Sequence, residues 1–309
     1  MIFFFSGNLE SKIPFSQVKI YFKWLDSFDK GSWISGSVQY TMSTNLLFEK
    51  ACVLYNIAAL ATQIGSTQDL HSEDSMKKGV RLYQQAAGIL AAISVPTSIS
   101  PTEQKPTPDL LPESAAALAS VTLAQAQEIV LRKAVIDNKK NLVIAKLAEK
   151  TGELYEQCQQ LMQVDSVKSL FGADWVSAVS AKSCLYSGLA QLQLAKDCKE
   201  KKHIGEEISR LQIAQEKLNK SKVVSTAEIK AELLPMLETV ENSLKEAKKD
   251  NDFIYFEKVP SAEELPTIEG ALVVKPTPFT EKFLIEETNL FSDMPVFDPT
   301  AKKSECIIS

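Results

Sequence analysis

The sequence predicts a mainly α protein: a curved helical solenoid of the tetratricopeptide kind, with a small β element near the N-terminus and an extended C-terminal tail. Three observations carry this. Seven stretches between residues 40 and 250 place apolar residues at helical spacing. One short stretch before them alternates with period two. From about residue 251 the chain is punctuated by Pro260, Pro266, Pro276, Pro278, Pro295 and Pro299, which no helix accommodates at that density.

The β element is "QVKIYFKWLDSF". Val18, Ile20, Phe22 and Trp24 alternate with Lys19, Tyr21 and Lys23, the pattern of a half-buried strand. No second clear strand is visible, so its partner is expected near the N-terminus or is lacking. A Gly/Ser loop, "DKGSWISGS", follows. The first helix is then expected over "YTMSTNLLFEKACVLYNIAALATQIG", whose face runs through Met42, Leu46, Val53, Ile57, Leu60 and Ile64. The second, "EDSMKKGVRLYQQAAGILAAI", opens on Glu73 and Asp74, charges that favour a helix N-terminus. Five prolines make 94–112 a loop. Helices are expected over 113–137, 139–163, 172–199, 203–221 and 226–250, and Pro235 is expected to kink the last or mark a boundary. Short connections make neighbours antiparallel. The tetratricopeptide consensus is absent, so the repeats are structural rather than sequence-regular. The tail keeps apolar residues such as Phe253, Ile254, Tyr255, Leu272, Val273 and Phe279, and is expected to pack along the helices.

Composition excludes several classes. With 309 residues and 45% hydrophobic content the chain carries a substantial core. A net charge of −5 argues against a nucleic-acid binder. Cys52, Cys158, Cys184, Cys198 and Cys306 form no ligand-like cluster and read as free thiols of a reducing, cytoplasmic compartment. No run approaches eighteen apolar residues, so membrane contact is expected to be peripheral. Only His71 and His203 are present, neither beside a nucleophile, and no phosphate-binding or metalloprotease motif occurs. The adjacent Glu206 and Glu207 point about 100° apart on a helix, so they read as a solvated face. The chain is therefore expected to be neither an enzyme nor a metal or cofactor binder.

Seven segments, "FKWLDSFDKGS", "FEKACVLYNIAALATQIG", "LAQAQEIVLRKA", "IAKLAEK", "FGADWVSAVSAKSC", "GEEISRLQIAQE" and "AKKDNDFIY", occur in this order and resemble the BRO domain (Bro-one type) family in its Alix branch. The resemblance covers about residues 13–296 and assigns 1–296 to one BRO domain, lacking the early strand and helix expected of the family. Residues 297–309 are read as a flexible tail. The family fold it implies matches the solenoid reading. The implied function is that of a non-enzymatic adaptor, cytoplasmic and peripherally associated with endosomes. It would bind the C-terminal amphipathic helix of an ESCRT-III subunit, the charged multivesicular body protein of class four. The alternative reading is a truncated form with weakened or no ESCRT-III binding, a generic helical scaffold.

The resemblance places the partner-binding patch on Val130, where the family often has an aromatic, and on Val143 and Leu147. The last two are spaced i, i+4 and share a helix face; periodicity alone reads all three as core. The loop residues Lys30, Trp33 and Ile34 form a candidate contact with an anionic endosomal membrane. Tyr255 is the candidate phosphorylation site, where a tyrosine kinase acts and an SH2-type domain docks through an arginine. The end "CIIS" makes Cys306 a candidate prenylation site, with serine favouring farnesyl. Lys302 and Lys303 would add about 1 kcal/mol each near anionic lipid.

Overall fold

The computed structural model describes residues 20–29, 40–93 and 107–279. Strand β1 (Phe22–Leu25) pairs antiparallel with β2 (Tyr40–Ser43), setting Phe22 opposite Ser43 and Trp24 opposite Thr41. The alternation read from sequence holds: Phe22 and Trp24 are half-buried, while Tyr21 and Lys23 are exposed. The partner strand, however, lies in the stretch expected to begin the first helix. Asn45 explains the correction. Its Oδ1 accepts the backbone N–H of Leu47 at 2.8 Å, so it caps the helix and stops it from extending back. Tyr40, Thr41 and Met42 are then left to pair as strand.

Seven α-helices follow among the described residues: α1 (Leu46–Ser66), α2 (Glu73–Ala92), α3 (Pro112–Ile136), α4 (Asn141–Met162), α5 (Ala173–Glu200), α6 (Ile204–Val224) and α7 (Ala227–Asp250). Each packs on the next in chain order, which is what a helical solenoid requires. Ser72 caps α2 through the Ser75 N–H, and Pro112 opens α3 at a position where a missing N–H costs nothing. Alanines at the contacts (Ala117, Ala124, Ala145, Ala148, Ala181, Ala190 and Ala214 are fully buried) let the helices approach closely. Pro235 neither ends nor divides α7. It sits on the exposed face with Ala231, so water can solvate the carbonyl the proline leaves unbonded.

By length and mean hydropathy α3 is long and apolar enough to cross a membrane, contrary to the sequence expectation. Its apolarity serves contacts with α2 and α4. It also carries a buried polar cluster. Glu128 accepts hydrogen bonds from Tyr155 of α4, from Lys182 of α5 at 2.7 Å and from Arg132 at 3.1 Å, and Arg132 also pairs with Glu232 of α7 at 2.8 Å. Burial would raise the Glu128 pKa, but the two cations hold it well below the usual carboxylate range. Glu128 thus ties three helices together, and Arg132 extends the cluster to a fourth, α7.

The tail after α7 is a strap laid across the helices, as expected, yet its outward residues differ from the expectation. Phe253, Ile254, Leu272 and Val273 are exposed, whereas Leu265 and Val274 are buried. An extended chain alternates its side chains, and backbone pins decide which ones face in. Arg210 donates to the Pro266 carbonyl at 2.7 Å, and the Thr277 N–H donates to the Gln84 carbonyl at 2.9 Å. Two glycines make the strap's close approach feasible. A Cβ on Gly88 would collide with the Thr277 carbonyl, and one on Gly205 with the Lys258 carbonyl.

Candidate functional site

Val130, Val143 and Leu147 meet in one apolar groove of about 480 Å³. Val130, Lys133 and Ala134 come from the last turns of α3, Asp137 from its C-cap, and Val143, Lys146 and Leu147 from the first turns of α4. Depth differs sharply among the three expected residues. Val143 is 44% exposed and Leu147 only 6%; Val130 is intermediate and packs against the core. Leu147 therefore belongs to the core as well as to the groove floor. Val143 presents the apolar surface.

The third wall comes from the strap, through Ala271 and Val273. Its position is set by Gln127, which is fully buried on α3. The Gln127 amide donates to the Ala271 carbonyl at 2.8 Å and accepts the Val273 N–H at 3.2 Å. The Ala271 N–H donates to the Lys146 carbonyl at 2.9 Å. Sequence reading missed this wall. Its signal was the amide within the apolar run "LAQAQEIV", since a buried amide requires partners. Lys133, Lys139 and Lys146 stand around the groove against Asp137. Lys133 pairs with Asp137 at 3.1 Å, and Lys146 approaches Glu269 at 3.8 Å. An apolar floor with a lysine-rich rim suits an amphipathic helix whose polar flank is acidic.

The other expected positions fare differently. Tyr255 lies in a π-helical turn (Asn251–Tyr255) that ends α7, 38% exposed. Its hydroxyl makes no hydrogen bond to a described residue. Phe253, Ile254 and Phe256 project beside it. Phe256 is held at a left-handed φ of 56° by Asn251, whose amide bonds both the N–H and the carbonyl of Glu257. Lys30, Trp33, Ile34 and Cys306 lie outside the described residues. The reading of Glu206 and Glu207 as a solvated pair needs correction. Glu206 is half-buried beside Arg210 at 3.6 Å. Glu207 is 2% exposed, and burial pushes its carboxyl up to about 7. Their divergence around the helix holds; it is the inward one that was misread. Among the described residues no group of His, Cys, Asp and Glu is placed to hold a metal.

A stack of helix pairs with a built apolar groove and an ordered strap for its third wall defines an α-solenoid with an apolar surface groove. The family is specific: the BRO1-like domain model matches residues 7–298, and the chain belongs to that family. It is 38% identical over 272 residues to the apoptosis-linked gene 2-interacting protein X 1 of Caenorhabditis elegans, covering 87% of this chain and 30% of that protein. It is 36% identical over 293 residues to the programmed cell death 6-interacting protein of Rattus norvegicus, covering 93% of this chain and 33% of that protein. The chain thus spans about a third of the length of these relatives. A solved complex of the ALIX BRO1 domain with CHMP4C superposes with a TM-score of 0.81 at 34% identity, covering 91% of this chain and 77% of that one.

Proposed function

We propose that this chain is a non-enzymatic, ESCRT-associated adaptor that binds the C-terminal amphipathic helix of an ESCRT-III subunit of the class-four charged multivesicular body type. It would serve endosomal sorting, multivesicular body formation and membrane budding from the cytoplasmic face of endosomes. The observation that carries the reading is the convergence of Val130, Val143 and Leu147 on one groove. The similarity to a BRO domain solved with CHMP4C supports it. Apolar anchors of the partner helix would lie over Val143 and Val130 against Val273, with its acidic flank toward Lys133, Lys139 and Lys146. Calorimetric titration with that C-terminal helix tests it: saturable binding that Val143→Asp abolishes supports the proposal, and binding indifferent to Val143→Asp sinks it.

Three accessory proposals attach to this reading. Lys30, Trp33 and Ile34 would hold the adaptor on anionic membrane; flotation unchanged in Trp33→Ala removes that role. Tyr255 stands exposed for a tyrosine kinase, and the phosphate would recruit an SH2-type domain. A phosphopeptide map of stimulated cells that lacks it counts against the switch. A farnesyl group on Cys306 would add marginal, reversible anchoring; an intact mass retaining Ser309 without a prenyl increment closes that question.

A further inference from the structure

A second cavity, about 340 Å³ in volume, opens between α1, α2 and α3 and faces the first turn of α5. Ala59 and Thr62 line it from α1, Tyr83 from α2, Thr122 from α3 and Trp175 from α5. Small-molecule sites run from roughly 300 to 1,000 Å³, so it has the size of one. None of its described lining residues is charged, although charged residues make up 24% of the chain. The apolar groove, by contrast, carries Lys133, Asp137, Lys139 and Lys146. The hydroxyls of the cavity are turned into their own helices. Thr62 donates to the Ala59 carbonyl at 2.7 Å, Ser66 to the Gln63 carbonyl at 2.8 Å and Thr122 to the Ala119 carbonyl at 2.8 Å. With its proton committed, such a hydroxyl offers a ligand no donor. Trp175 lines the cavity yet is 51% exposed, its ring set against Phe171 at 6.2 Å between centroids. An uncharged wall with an uncovered aromatic face suits an apolar chain, and it suits no phosphate or sugar.

The course of the chain supplies the occupant. The strap ends, among the described residues, at Phe279. The Thr277 N–H fixes it to the Gln84 carbonyl of α2 at 2.9 Å, and Phe279 packs against the apolar cluster built by α1 and α2. That cluster contributes Ala58 and Leu90 to the cavity wall. Twenty-seven positions beyond Phe279 stands Cys306, which opens the terminal CIIS. Such a length of chain spans at most about 90 Å, against about 37 Å for the whole of α3. Cys306 is therefore within reach of the cavity from a strap that already lies on its walls.

We propose that this cavity shelters the farnesyl group of Cys306 in cis, withholding the anchor from the membrane. The inference rests on the farnesylation of Cys306 proposed above. An isoprenoid thioether carries no charge and needs no hydrogen-bond donor, which is what the wall provides. Its methyl-branched chain would lie along Ala59 and Thr62 and cover the open face of Trp175. The cavity and the apolar groove share no lining residue among those described, so the anchor and the ESCRT-III helix occupy separate sites.

Two measurements test this. Calorimetric titration of the full chain with farnesylcysteine methyl ester reads the cavity without the modification. Saturable binding at a Kd of about 10 µM or tighter is expected, weakened about tenfold or more in Ala59→Trp and in Thr62→Phe. Ala59 is exposed and Thr62 half-buried, so the larger side chains enter the cavity rather than the core. The chain is then farnesylated with purified farnesyltransferase: the Cys306 Sγ forms a C–S bond to the isoprenoid of farnesyl diphosphate, and diphosphate and the thiol proton leave. Flotation on uncharged phosphatidylcholine vesicles follows. With a tether giving an effective concentration on the order of 1 mM, and a single lipid chain binding membrane at about 10⁴ M⁻¹, about a tenth of wild type should float at about 1 mM lipid. At least about half of Ala59→Trp should float under the same conditions. Equal flotation overturns the cis docking, and with saturable ester binding it marks a cavity for a prenyl group presented by another protein. Ester binding that both substitutions leave unchanged puts the isoprenoid elsewhere and overturns the site. A mass without the farnesyl increment removes the anchor itself, and with it the occupant, even where the ester binds; no ester binding by a chain that does accept farnesyl keeps the anchor and overturns the shelter. Thermal melts check both variants; if Ala59→Trp melts early, Thr62→Phe is read in its place.

Discussion

The sharpest consequence of the groove's construction concerns Val143. Its side chain is 44% exposed, and fully burying a valine contributes about 1.5–3 kcal/mol. Covering the exposed part with a partner helix therefore contributes about 1 kcal/mol. Val143→Ala should then weaken binding only about fivefold. Val143→Asp should do far more, because a partner helix would bury a carboxylate against Val130 and Val273. A buried charge without a dedicated partner costs several kcal/mol, so the loss should exceed about a hundredfold. The free protein should tolerate both changes, since position 143 faces solvent and Lys139 and Lys146 stand nearby. The assay is titration of the ESCRT-III C-terminal helix into each variant, with a thermal melt alongside. Val143→Asp binding within about twofold of wild type, on an unchanged melt, refutes the placement of the partner in this groove.

Other consequences follow from the same geometry. Leu147→Asp should lower the melting temperature sharply, because Leu147 is 6% exposed within the main core and an unpaired buried charge costs about 3–5 kcal/mol; a cooperative melt at the wild-type temperature would contradict this. Gly88→Ala drives a Cβ into the Thr277 carbonyl, so hydrogen exchange over 271–277 should quicken while the helices keep their protection, and unchanged exchange would refute the strap's docking. Glu207→Gln should stabilise the protein at pH 8 and leave it nearly unchanged at pH 5. The native carboxyl holds its proton to about pH 7 and the unfolded one only to about 4.5, so the native state binds the extra proton between them and stability falls as pH rises through that window. A gain of about 1–3 kcal/mol at pH 8 is expected, read as a rise of about 2–4 °C per kcal/mol; equal shifts at both pH values would count against it. Glu128 has the opposite sign: its pKa is lowered, so its contribution is present above about 4.5 and is lost as the pH falls through the native value.

Periodicity made the helices legible, because each long helix must bury one stripe and the stripe repeats over several turns. The expected 113–137, 139–163 and 172–199 agree with α3, α4 and α5 to within a residue or two. The alternation around Trp24 was legible for the same reason. Tyr40–Ser43 was not, since four residues carry too little pattern and a strand exists only through its partner. The resemblance indicated which three residues form the patch; only the fold distinguishes Val143, at the surface, from Leu147, on the floor. Periodicity reports which way a side chain faces, whereas burial depends on what is packed against that face. Glu207 shows this from the other side, a carboxyl turned inward by the packing of α6.

The sequence by itself determined the architecture: helix pairs in a row, a short β element before them, an extended tail after them, and the BRO-type family. Those features are local or near-local, and are written in spacing, caps and prolines. Tertiary structure decided that the tail forms a groove wall, that Gln127 holds it there, and that Ala59, Thr122 and Trp175 line one cavity. Gln127 and Ala271 stand 144 positions apart along the chain. No local pattern encodes such a contact, because its energy comes from a carbonyl and an amide that meet only after the helices have stacked.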